Sequence, residues 1–470
     1  MTPKHLRPRL PALLGTDELE ALHWSALRVL QTVGLQVADE ACLRALEGQE
    51  SITRRGNRLL FDPNFVDAEV DRHRAMAAPG RADDTCAPTL SVGALATHHV
   101  DLDSDEVLPL DWESCERISR IVDGLHDRGL RGHCPGAPQE VAPGLREVAQ
   151  ALLGWLHCRE GGVAPATTVA SAEYLHEMNQ VMGRPRGVGV HVVSPLRLEG
   201  VEYEMAVRLA PRGAAVSVGS MPIMGVTAPV QPAGAFVVAV AEVLGSWLAL
   251  KHFLELEQVG FSFDVYSADM RSGAFIFGNP EQKLLDLVKR DVNGYYAVSK
   301  PPRSMYSMAR RPGAQCCAEM AALTAVDALC GTRRFWGVNM AVDQLCSPEQ
   351  YVLALEMMHS AVRVADGVRW DKAALAVEAI EEAMEEAMEE GADFMGHRST
   401  LEWYKDVYWF PELWDRRPLA QGKWEGLEPA RQRARQIARE AGEGTGFELP
   451  TDKSAALLEI YRAAEKTYAG

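Results

Sequence analysis

The hydrophobic pattern of the chain changes near residue 115. Before that point, apolar residues recur at helical spacing from Asp17 to Val33, and Arg54 to Phe65 has the pattern of a short hairpin. The stretch from Met76 to Asp111 is rich in Pro, Gly, Asp and Thr, which is typical of loops and short strands. We therefore expect residues 1–115 to form an N-terminal lobe, with a helix and a hairpin, that packs on the rest of the protein.

After residue 115, short β-rich runs alternate with amphipathic helices, which is the pattern of βα units around a parallel sheet. Eight such alternations match a closed (β/α)₈ barrel, the TIM barrel, better than a doubly wound open sheet, which stays as the alternative. We expect this barrel to span residues 116–400. Its predicted strands are Leu130 to Cys134, Gly162 to Val169, Val188 to Ser194, Ala214 to Ser220, Phe261 to Tyr266, Gly294 to Val298, Phe335 to Met340 and Ala392 to His397.

Two predicted helices begin with the same four-residue signature. Asn279-Pro280-Glu281-Gln282 and Ser347-Pro348-Glu349-Gln350 each offer a capping side chain, a proline at the first helical position and a glutamine placed to reach back. Residues 401–470 are expected to form a C-terminal helical extension. Its start is crowded with aromatic residues, which indicates a core or subunit-interface patch: Trp403, Tyr404, Tyr408, Trp409, Phe410 and Trp414.

Composition narrows the classes of function. The net charge is −17, which disfavours binding to nucleic acids and favours a cationic substrate. No run of about 18 uninterrupted apolar residues predicts a membrane span, so we expect a cytoplasmic protein. The nine cysteines include no CxxC pair and are expected to be mostly buried thiols.

Motifs for nucleotide, serine-hydrolase and zinc-protease chemistry are absent, as is the Asp-x-His-x-x-Gly signature of corrinoid-binding proteins. The chain itself is therefore not expected to carry a corrinoid. His133-Cys134 and His157-Cys158 are the nearest approach to zinc ligands. If either pair lies on a strand, its two side chains point to opposite faces, so we expect no metal.

Six blocks of the sequence, in order, resemble motifs of the trimethylamine methyltransferase family. Ser220 to Val230, continuing through Ala233-Gly234 to Ala241-Glu242, is similar to the family's P-G-x-T-x-P-V … A-G … A-E segment, although Gln231-Pro232 stands where the family has a Thr-Leu pair. The other blocks are Leu27 to Val37, Ser194-Pro195-Leu196, Phe277-Gly278-Asn279-Pro280-Glu281, Gly396-His397-Arg398-Ser399-Thr400 and Pro411-Glu412-Leu413-Trp414-Asp415-Arg416.

The resemblance implies a TIM barrel, a methylated-amine substrate, a separate corrinoid protein as the methyl acceptor, and a homo-oligomer. Founding members of the family carry pyrrolysine in the pocket, at a position that falls near Asn339 and Met340 here. This sequence has only standard residues. In that respect it resembles the branch without pyrrolysine, whose substrates are betaine-like quaternary amines such as glycine betaine.

A cobalt(I) corrinoid attacks an N-methyl group in line, and a quaternary ammonium leaves as a neutral amine, so the protein has to bind the cation and aim the methyl group. The reacting groups of a TIM barrel lie at the carboxyl ends of its strands. The catalytic candidates there are Asp264, Asn339 and His397. The substrate-binding candidates are Tyr266, Tyr306, Trp336, Asp343, Ser220 and Met224.

Each candidate also has a structural interpretation: a buried carboxylate for Asp264, packing for the aromatic residues, and a loop brace for His397. Arg303, Arg310 and Arg311 form a basic group that either holds a substrate carboxylate or is simply solvated. Two other functions stay open, namely a barrel methyltransferase with tetrahydrofolate or another acceptor, and a non-catalytic binding subunit.

Overall fold

The computed structural model describes residues 5–77, 86–298, 305–390, 394–421 and 426–468, and it shows a mixed α/β fold. In chain order, its helices are α1 (Thr16–Thr32), α2 (Glu40–Glu47), α3 (Pro63–Met76), α4 (Trp112–Gly124), α5 (Arg146–His157), α6 (Val169–Val181), α7 (Val201–Leu209), α8 (Pro232–Phe253), α9 (Pro280–Tyr295), α10 (Ala314–Leu329), α11 (Pro348–Asp366), α12 (Val377–Glu390), α13 (Arg398–Val407), α14 (Glu428–Gly444) and α15 (Thr451–Tyr468).

The strands are short, and most have two to five residues. They are β1 (His5–Leu6), β2 (Leu35–Val37), β3 (Ile52–Arg55), β4 (Arg58–Phe61), β5 (Thr89–Ser91), β6 (His98–Val100), β7 (Val107–Pro109), β8 (Leu130–Arg131), β9 (Val188–Val192), β10 (Arg197–Leu198), β11 (Val216–Ser220), β12 (Gly260–Ser262), β13 (Ser267–Asp269), β14 (Ala274–Ile276), β15 (Arg334–Trp336), β16 (Leu345–Cys346) and β17 (Val368–Arg369).

Two three-stranded parallel sheets form the frame of the fold. In one, β11 lies between β9 and β12, and Val218 pairs with Val190 on one side and Phe261 on the other. In the other, β5 lies between β8 and β15, with Leu90 opposite Leu130 and Phe335. The late strand β15 therefore lies beside the early strand β5. Because all six strands are parallel within their sheets, the loops that follow them gather at one edge of each sheet.

Five of the eight predicted strands overlap an observed strand: β8, β9 and β11 lie within the predicted ranges, while β12 and β15 begin one residue earlier and end before the predicted ranges do. The prediction of a strand over Gly294 to Val298 is wrong, because this β-branched and aromatic segment is the end of α9, with Val292 and Tyr296 in the core. Gly162 to Val169 is irregular up to the start of α6, since Gly161 and Gly162 pack against the ring of Trp155. Strand β5 was missed within the loop-rich stretch.

The predicted strand near Ala392 to His397 is also not formed where the structure describes it. Residues 392 and 393 lie outside the described residues, and His397 is the N-cap of α13. None of the sheets formed by the described residues is closed. At the open edge of β9, the backbone N–H of His191 donates to Glu202 Oε2 at 2.6 Å instead of to a strand. The fold that the structure supports is thus a mixed α/β arrangement with two separate three-stranded parallel sheets.

The two matching helix starts behave differently. The side chain of Ser347 accepts the N–H of Gln350 at 3.3 Å, which confirms the predicted cap of α11. Asn279 makes no such cap bond at α9, and neither glutamine reaches back to its N-cap. The side-chain amide of Gln282 instead bonds to the N–H of Ser267 and the carbonyl of Val265, beyond the end of β12.

Helix-borne amides and carboxylates satisfy backbone groups just beyond several strands. Asn293 on α9 bonds to both the N–H and the carbonyl of Phe263. Gln150 on α5 donates to the carbonyls of Ala94 and Cys134. A buried backbone group without a partner costs about 1–3 kcal/mol, so these side chains hold the strand ends where the ladders stop.

Helix α8 joins two of the blocks that resemble family motifs. Glu242 is fully buried, and its two oxygens accept the hydroxyl of Ser194 and the N–H of Leu196, each at 2.9 Å. Leu196 has a φ of 56°, so this turn after β9 is strained and the carboxylate helps to hold it. Although α8 is long and apolar enough to cross a membrane, 78% of its most apolar window is buried, as in a core helix of a soluble protein.

The C-terminal helices pack back on the sheet-bearing part of the chain. Arg431 and Arg435 of α14 each lie 2.6 Å from a carboxylate oxygen of Glu349, which is 1% exposed at the start of α11. Asp105 lies within 2.9 Å of both arginines. The aromatic stretch just before these helices is divided: Trp414 packs against the buried core, whereas Tyr408 and Phe410 are 62% and 60% exposed.

We expect the free energy of unfolding to fall as the pH rises, because Glu242 loses its proton in the folded protein. Burial raises the pKa of this carboxyl to about 7 from an ordinary value of 4.5. The folded chain therefore keeps a proton that the unfolded chain loses, and the resulting stability disappears as the pH rises through this window. Relative to Glu242→Gln, the wild type should lose up to about 3 kcal/mol of unfolding free energy between about pH 5 and 8, measured by urea unfolding.

The control is Glu113→Gln, at an exposed carboxylate on α4. It should follow the wild-type pH dependence throughout. If Glu242→Gln also runs parallel to the wild type, the carboxyl of Glu242 does not titrate in this range and the account of the turn is wrong.

Candidate functional site

The loops after β11 and β12 dock on each other through backbone and hydroxyl groups. Ser220, fully buried at the end of β11, donates its hydroxyl to the carbonyl of Asp264 at 2.9 Å and accepts the N–H of Asp264 at 3.0 Å. Beyond it, the N–H of Met224 donates to the carbonyl of Tyr266, and the N–H of Tyr266 donates to the carbonyl of Pro222. Four predicted site residues are thereby joined at one edge of the sheet.

An aromatic cluster lies beside this junction. Tyr306 stacks on Phe277 with the ring centroids 4.5 Å apart and the planes 15° apart, and Phe277 makes edge contacts with Phe275 and Tyr266. The indole N–H of Trp336 donates to the hydroxyl of Tyr306 at 3.1 Å. We call these five residues the aromatic cluster. Trp336 is 41% exposed while Tyr266 and Tyr306 are 3% and 7% exposed, so the cluster presents its indole to solvent.

A strained turn closes the cluster on the side of β15. Ala341, Val342 and Asp343 all have positive φ values, of 48°, 59° and 69°. Three consecutive non-glycine residues in this region each cost of order 1 kcal/mol or more, so the surroundings have to hold them. Met340 and Leu345 exchange two backbone hydrogen bonds across the turn. The turn places Val342 against the aromatic cluster.

The same turn carries a buried polar network. Asn339, which is fully buried, donates from Nδ2 to Asp343 Oδ1 at 2.8 Å and accepts the hydroxyl of Tyr351 at 3.2 Å. Gly93, just beyond β5, lies directly against this pair. A Cβ at Gly93 would fall 2.0 Å from Asp343 Oδ1 and 2.8 Å from Asn339 Nδ2. The absence of a side chain at residue 93 is what leaves room for the carboxylate of Asp343.

Asp264 has a cationic partner inside the protein. Its Oδ1 lies 2.5 Å from Nζ of Lys289 on α9, and both side chains are about 4% exposed. A buried ion pair of this kind neutralises the carboxylate locally, which fits the structural interpretation of Asp264.

His397 is not joined to the other predicted residues by the described contacts. Its Nδ1 lies 2.8 Å from the hydroxyl of Ser399, and its Nε2 lies 3.8 Å from Glu382 of α12. Arg303 lies outside the described residues. Arg310 and Arg311 are exposed, and Arg311 lies 3.7 Å from Asp105. The structure thus joins Ser220, Met224, Asp264, Tyr266, Tyr306 and Trp336, sets Asn339 and Asp343 beside them through the turn, and places His397 elsewhere.

Two residues that brace the cluster were missed from the sequence. Gln282 bonds to the backbone on both sides of Tyr266, and Glu319 of α10 accepts the N–H of Met308 at 3.0 Å and the hydroxyl of Ser307 at 2.6 Å, next to Tyr306. The paired Pro-Glu-Gln helix starts were a signal for Gln282. Nothing in the sequence alone marked Glu319.

Apolar side chains on the loops around the cluster are exposed. Met221, Val226, Val230 and Met270 are between 41% and 62% exposed, and Gly225 approaches Met270 closely. With Trp336, they form what we call the apolar rim. Across the described residues, no group of three or more His, Cys, Asp and Glu side chains is arranged to hold a metal ion.

A separate groove of about 1480 Å³ lies between β17 and α13, where Arg369 stacks over Trp403 at 4.6 Å. Tyr408 and Glu382 also line it, whereas none of the predicted site residues does. The arginine side chains there already pair with carboxylates or carbonyls, as Arg369 does with Asp371. The chemistry of the groove is therefore separate from that of the aromatic cluster.

Comparison with known proteins identifies the family. The profile described as trimethylamine methyltransferase (MTTB) matches residues 178–463, which is more than half of the chain and includes the loops after β11 and β12, the aromatic cluster and the strained turn. The protein belongs to the trimethylamine methyltransferase family, as the sequence blocks indicated.

Relatives from methanogens match over most of their length. Trimethylamine methyltransferase MttB2 of Methanosarcina mazei is 24% identical over 441 residues, covering 88% of this chain and 86% of the relative. Trimethylamine methyltransferase MttB of Methanosarcina barkeri is 23% identical over 417 residues, covering 83% and 82%. Among solved structures, the monomethylamine methyltransferase MtmB of Methanosarcina barkeri aligns with a TM-score of 0.46 at 12% identity, covering 97% of this chain and 88% of that one.

We expect Gly93→Ala to disturb the Asn339–Asp343 pair. The new methyl group overlaps a buried carboxylate, and overpacking of this kind costs about 1–3 kcal/mol. Urea unfolding should show that loss. Gly294→Ala is the control, because its Cβ would meet nothing within 4 Å on a helix, where alanine is favoured. Equal stability of the two variants would show that residue 93 does not pack against Asp343.

Proposed function

We propose that this protein transfers a methyl group from a quaternary or tertiary methylated amine, of the betaine type, to the cobalt(I) corrinoid of a separate partner protein. The observation that carries the proposal is the aromatic cluster beside the strand ends, with the exposed indole of Trp336 in it. Family membership supports methyl transfer, and the names of the relatives support an amine as the donor.

The aromatic cluster suits a methylated ammonium group. The face of an indole or phenol ring attracts a cation by about 0.5–2 kcal/mol, and a quaternary ammonium has no N–H that would require a specific acceptor. The bond to Tyr306 fixes the rotation of the Trp336 indole, so its exposed face is held before a ligand arrives. Val342 packs against the cluster, and the carboxylate of the next residue, Asp343, is buried and accepts a hydrogen bond from Asn339, which fixes this edge of the site.

In the reaction, the residues of this chain bind the cation, orient one methyl group outward and exclude water. The departing amine is neutral, so no side chain has to protonate it. Trp336 contacts the ammonium methyl groups with its exposed face, and Tyr266 and Tyr306 form the buried part of the cluster behind it. Ser220 and Met224 hold the loop that carries Tyr266 in place. Asp264 and Asn339 act by keeping the strand ends rigid, while the assignment of a catalytic role to His397 rests on the resemblance alone.

When it is bound, the corrinoid supplies the nucleophile that accepts the methyl group. This chain offers the corrinoid protein the apolar rim, whose exposed methionine and valine side chains surround the aromatic cluster. A partner that covers these side chains would seal the site from water.

We further propose that the two three-stranded parallel sheets belong to one (β/α)₈ barrel. Among the six strands of the two parallel sheets, the last in the chain, β15, pairs with the first, β5, as the strands at the junction of such a barrel do, and the parallel bridge between Ser307 and Met340 adds a further segment beside β15. We also propose that the protein is a homo-oligomer, because the exposed aromatic residues around Tyr408 and Phe410 are typical of a subunit interface. We propose a cytoplasmic location for it.

Calorimetry against glycine betaine, carnitine, proline betaine, choline and trimethylamine tests the proposal. One of these amines should bind, and Trp336→Leu should weaken its affinity about tenfold because the cation loses its main exposed ring. Trp370→Leu is the matched control, since Trp370 is 57% exposed and lies next to β17, outside the cluster. It should bind as the wild type does.

The amine that binds is then incubated with the protein and either reduced cobalamin or tetrahydrofolate, and its demethylation is followed by NMR. Demethylation with reduced cobalamin alone supports the proposed acceptor. Demethylation with tetrahydrofolate alone would replace the acceptor and leave the amine site in place. Binding without turnover on either acceptor, even with cell extract added as a source of corrinoid protein, would favour a non-catalytic binding subunit.

A further inference from the structure

Gln282 fixes the position of Tyr266 from outside the aromatic cluster. It lies in the first turn of α9 and is 5% exposed. Its Oε1 accepts the backbone N–H of Ser267 at 2.9 Å, and its Nε2 donates to the carbonyl of Val265 at 3.1 Å. These backbone groups belong to the residues immediately before and after Tyr266. One amide group therefore holds the chain on both sides of this ring.

The backbone at Tyr266 needs such a partner because β12 ends at Ser262. On one side, Tyr266 itself bonds to Pro222 and Met224 in the loop after β11. On the other side, Gln282 bonds to Val265 and Ser267 at the point where the chain enters the short hairpin of β13 and β14, in which Ser267 pairs with Ile276. The backbone at Tyr266 is thus held by a loop on one side and by a helix side chain on the other.

The orientation of the Gln282 amide is itself fixed. Its Nε2 also lies 3.3 Å from Asp286 Oδ1, and an ionised carboxylate can only accept a hydrogen bond. Asp286 in turn lies 3.5 Å from Nζ of Lys283, which lies 2.7 Å from Asp327 on α10. All four side chains are buried. This network keeps the NH₂ group toward Val265 and the oxygen toward Ser267.

We propose that Gln282 is a positioning residue for substrate binding: by holding Val265 and Ser267, it fixes Tyr266, which packs through Phe277 and Tyr306 against the indole that meets the methylated ammonium group. This role rests on the proposed function. Gln282 touches no substrate and acts only through Tyr266. The attraction between a cation and a ring depends on where the cation lies over the ring, so a shift of Tyr266 that moves the Trp336 indole weakens binding.

The chain supplies a matched control in Gln350. It occupies the same position in the second Pro-Glu-Gln helix start and is fully buried. Its Nε2 donates to Met320 Sδ at 3.2 Å, and its Oε1 has no hydrogen-bond partner. It therefore makes the same kind of helix start without holding the backbone of a cluster residue.

The experiment is a double-mutant cycle with tetramethylammonium as the probe. Calorimetry compares the wild type, Gln282→Met, Tyr266→Leu and the double variant, with Gln350→Met as the control. We expect Gln282→Met to bind about tenfold more weakly, with no further loss when it is added to Tyr266→Leu, because both changes act through one ring. Gln350→Met should bind as the wild type does.

Amide hydrogen exchange at Ser267, measured without ligand, supplies the second readout. It should be faster in Gln282→Met and unchanged in Gln350→Met, since Gln282, and not Gln350, accepts a hydrogen bond from that N–H. Gln282→Asn, whose shorter side chain cannot span both backbone groups, should show the same pattern and replaces Gln282→Met if that variant does not fold.

The outcomes separate this inference from the function on which it rests. The positioning role is overturned if amide exchange at Ser267 is unchanged in both Gln282 variants. It is also overturned if Gln282→Met lowers the affinity equally in the presence and in the absence of the Tyr266 ring. In either case, binding of tetramethylammonium by the wild type would still support the amine site. If the wild type itself does not bind tetramethylammonium, the proposed cation site is contradicted, and the proposed role of Gln282 is contradicted as well.

Discussion

The structure depends on how the backbone is satisfied where its short strands stop. The two parallel sheets have three strands each, and their N–H and carbonyl groups continue past the last ladder bond. Buried groups of this kind need partners, and the following helices supply them: Glu242 for Leu196, Asn293 for Phe263, Gln282 for Ser267 and Glu319 for Met308. These side chains fix the backbone of the loops at the strand ends.

Because these loops are held in place, the aromatic residues of the candidate site have fixed positions. Tyr266 and Tyr306 lie on segments held by helix side chains, and Trp336 is fixed by its bond to Tyr306. The turn at Ala341 to Asp343 keeps three left-handed residues because Asn339, Tyr351 and the space at Gly93 hold it. A methylated ammonium group offers no hydrogen bond for recognition, so a preformed aromatic surface is the means by which a protein can bind it.

Much of this could be predicted from the sequence, and the remainder could not for identifiable reasons. The alternation of βα units located β8, β9, β11, β12 and β15. The strand-end rule selected Tyr266, Tyr306 and Trp336, which the structure brings into one cluster, and their role in binding stays a prediction. Gly294 to Val298 was misassigned because a β-branched and aromatic run on a buried helix has the composition of a strand. Gln282 and Glu319 act through contacts between distant segments, which periodicity and spacing do not show. The pairing of Asp264 with Lys289 was missed for the same reason.

The central claim is that a methylated cation binds against the aromatic cluster, and a crystal structure with tetramethylarsonium tests it most directly. This ion has the shape and charge of tetramethylammonium, and its arsenic atom is located by anomalous scattering without interpretation of weak density. The account predicts a single strong arsenic peak within about 6 Å of the Trp336 ring centroid, on the side of Tyr266 and Tyr306. A peak in the groove beside Trp403 instead, or no ordered arsenic at concentrations that saturate binding, would contradict it.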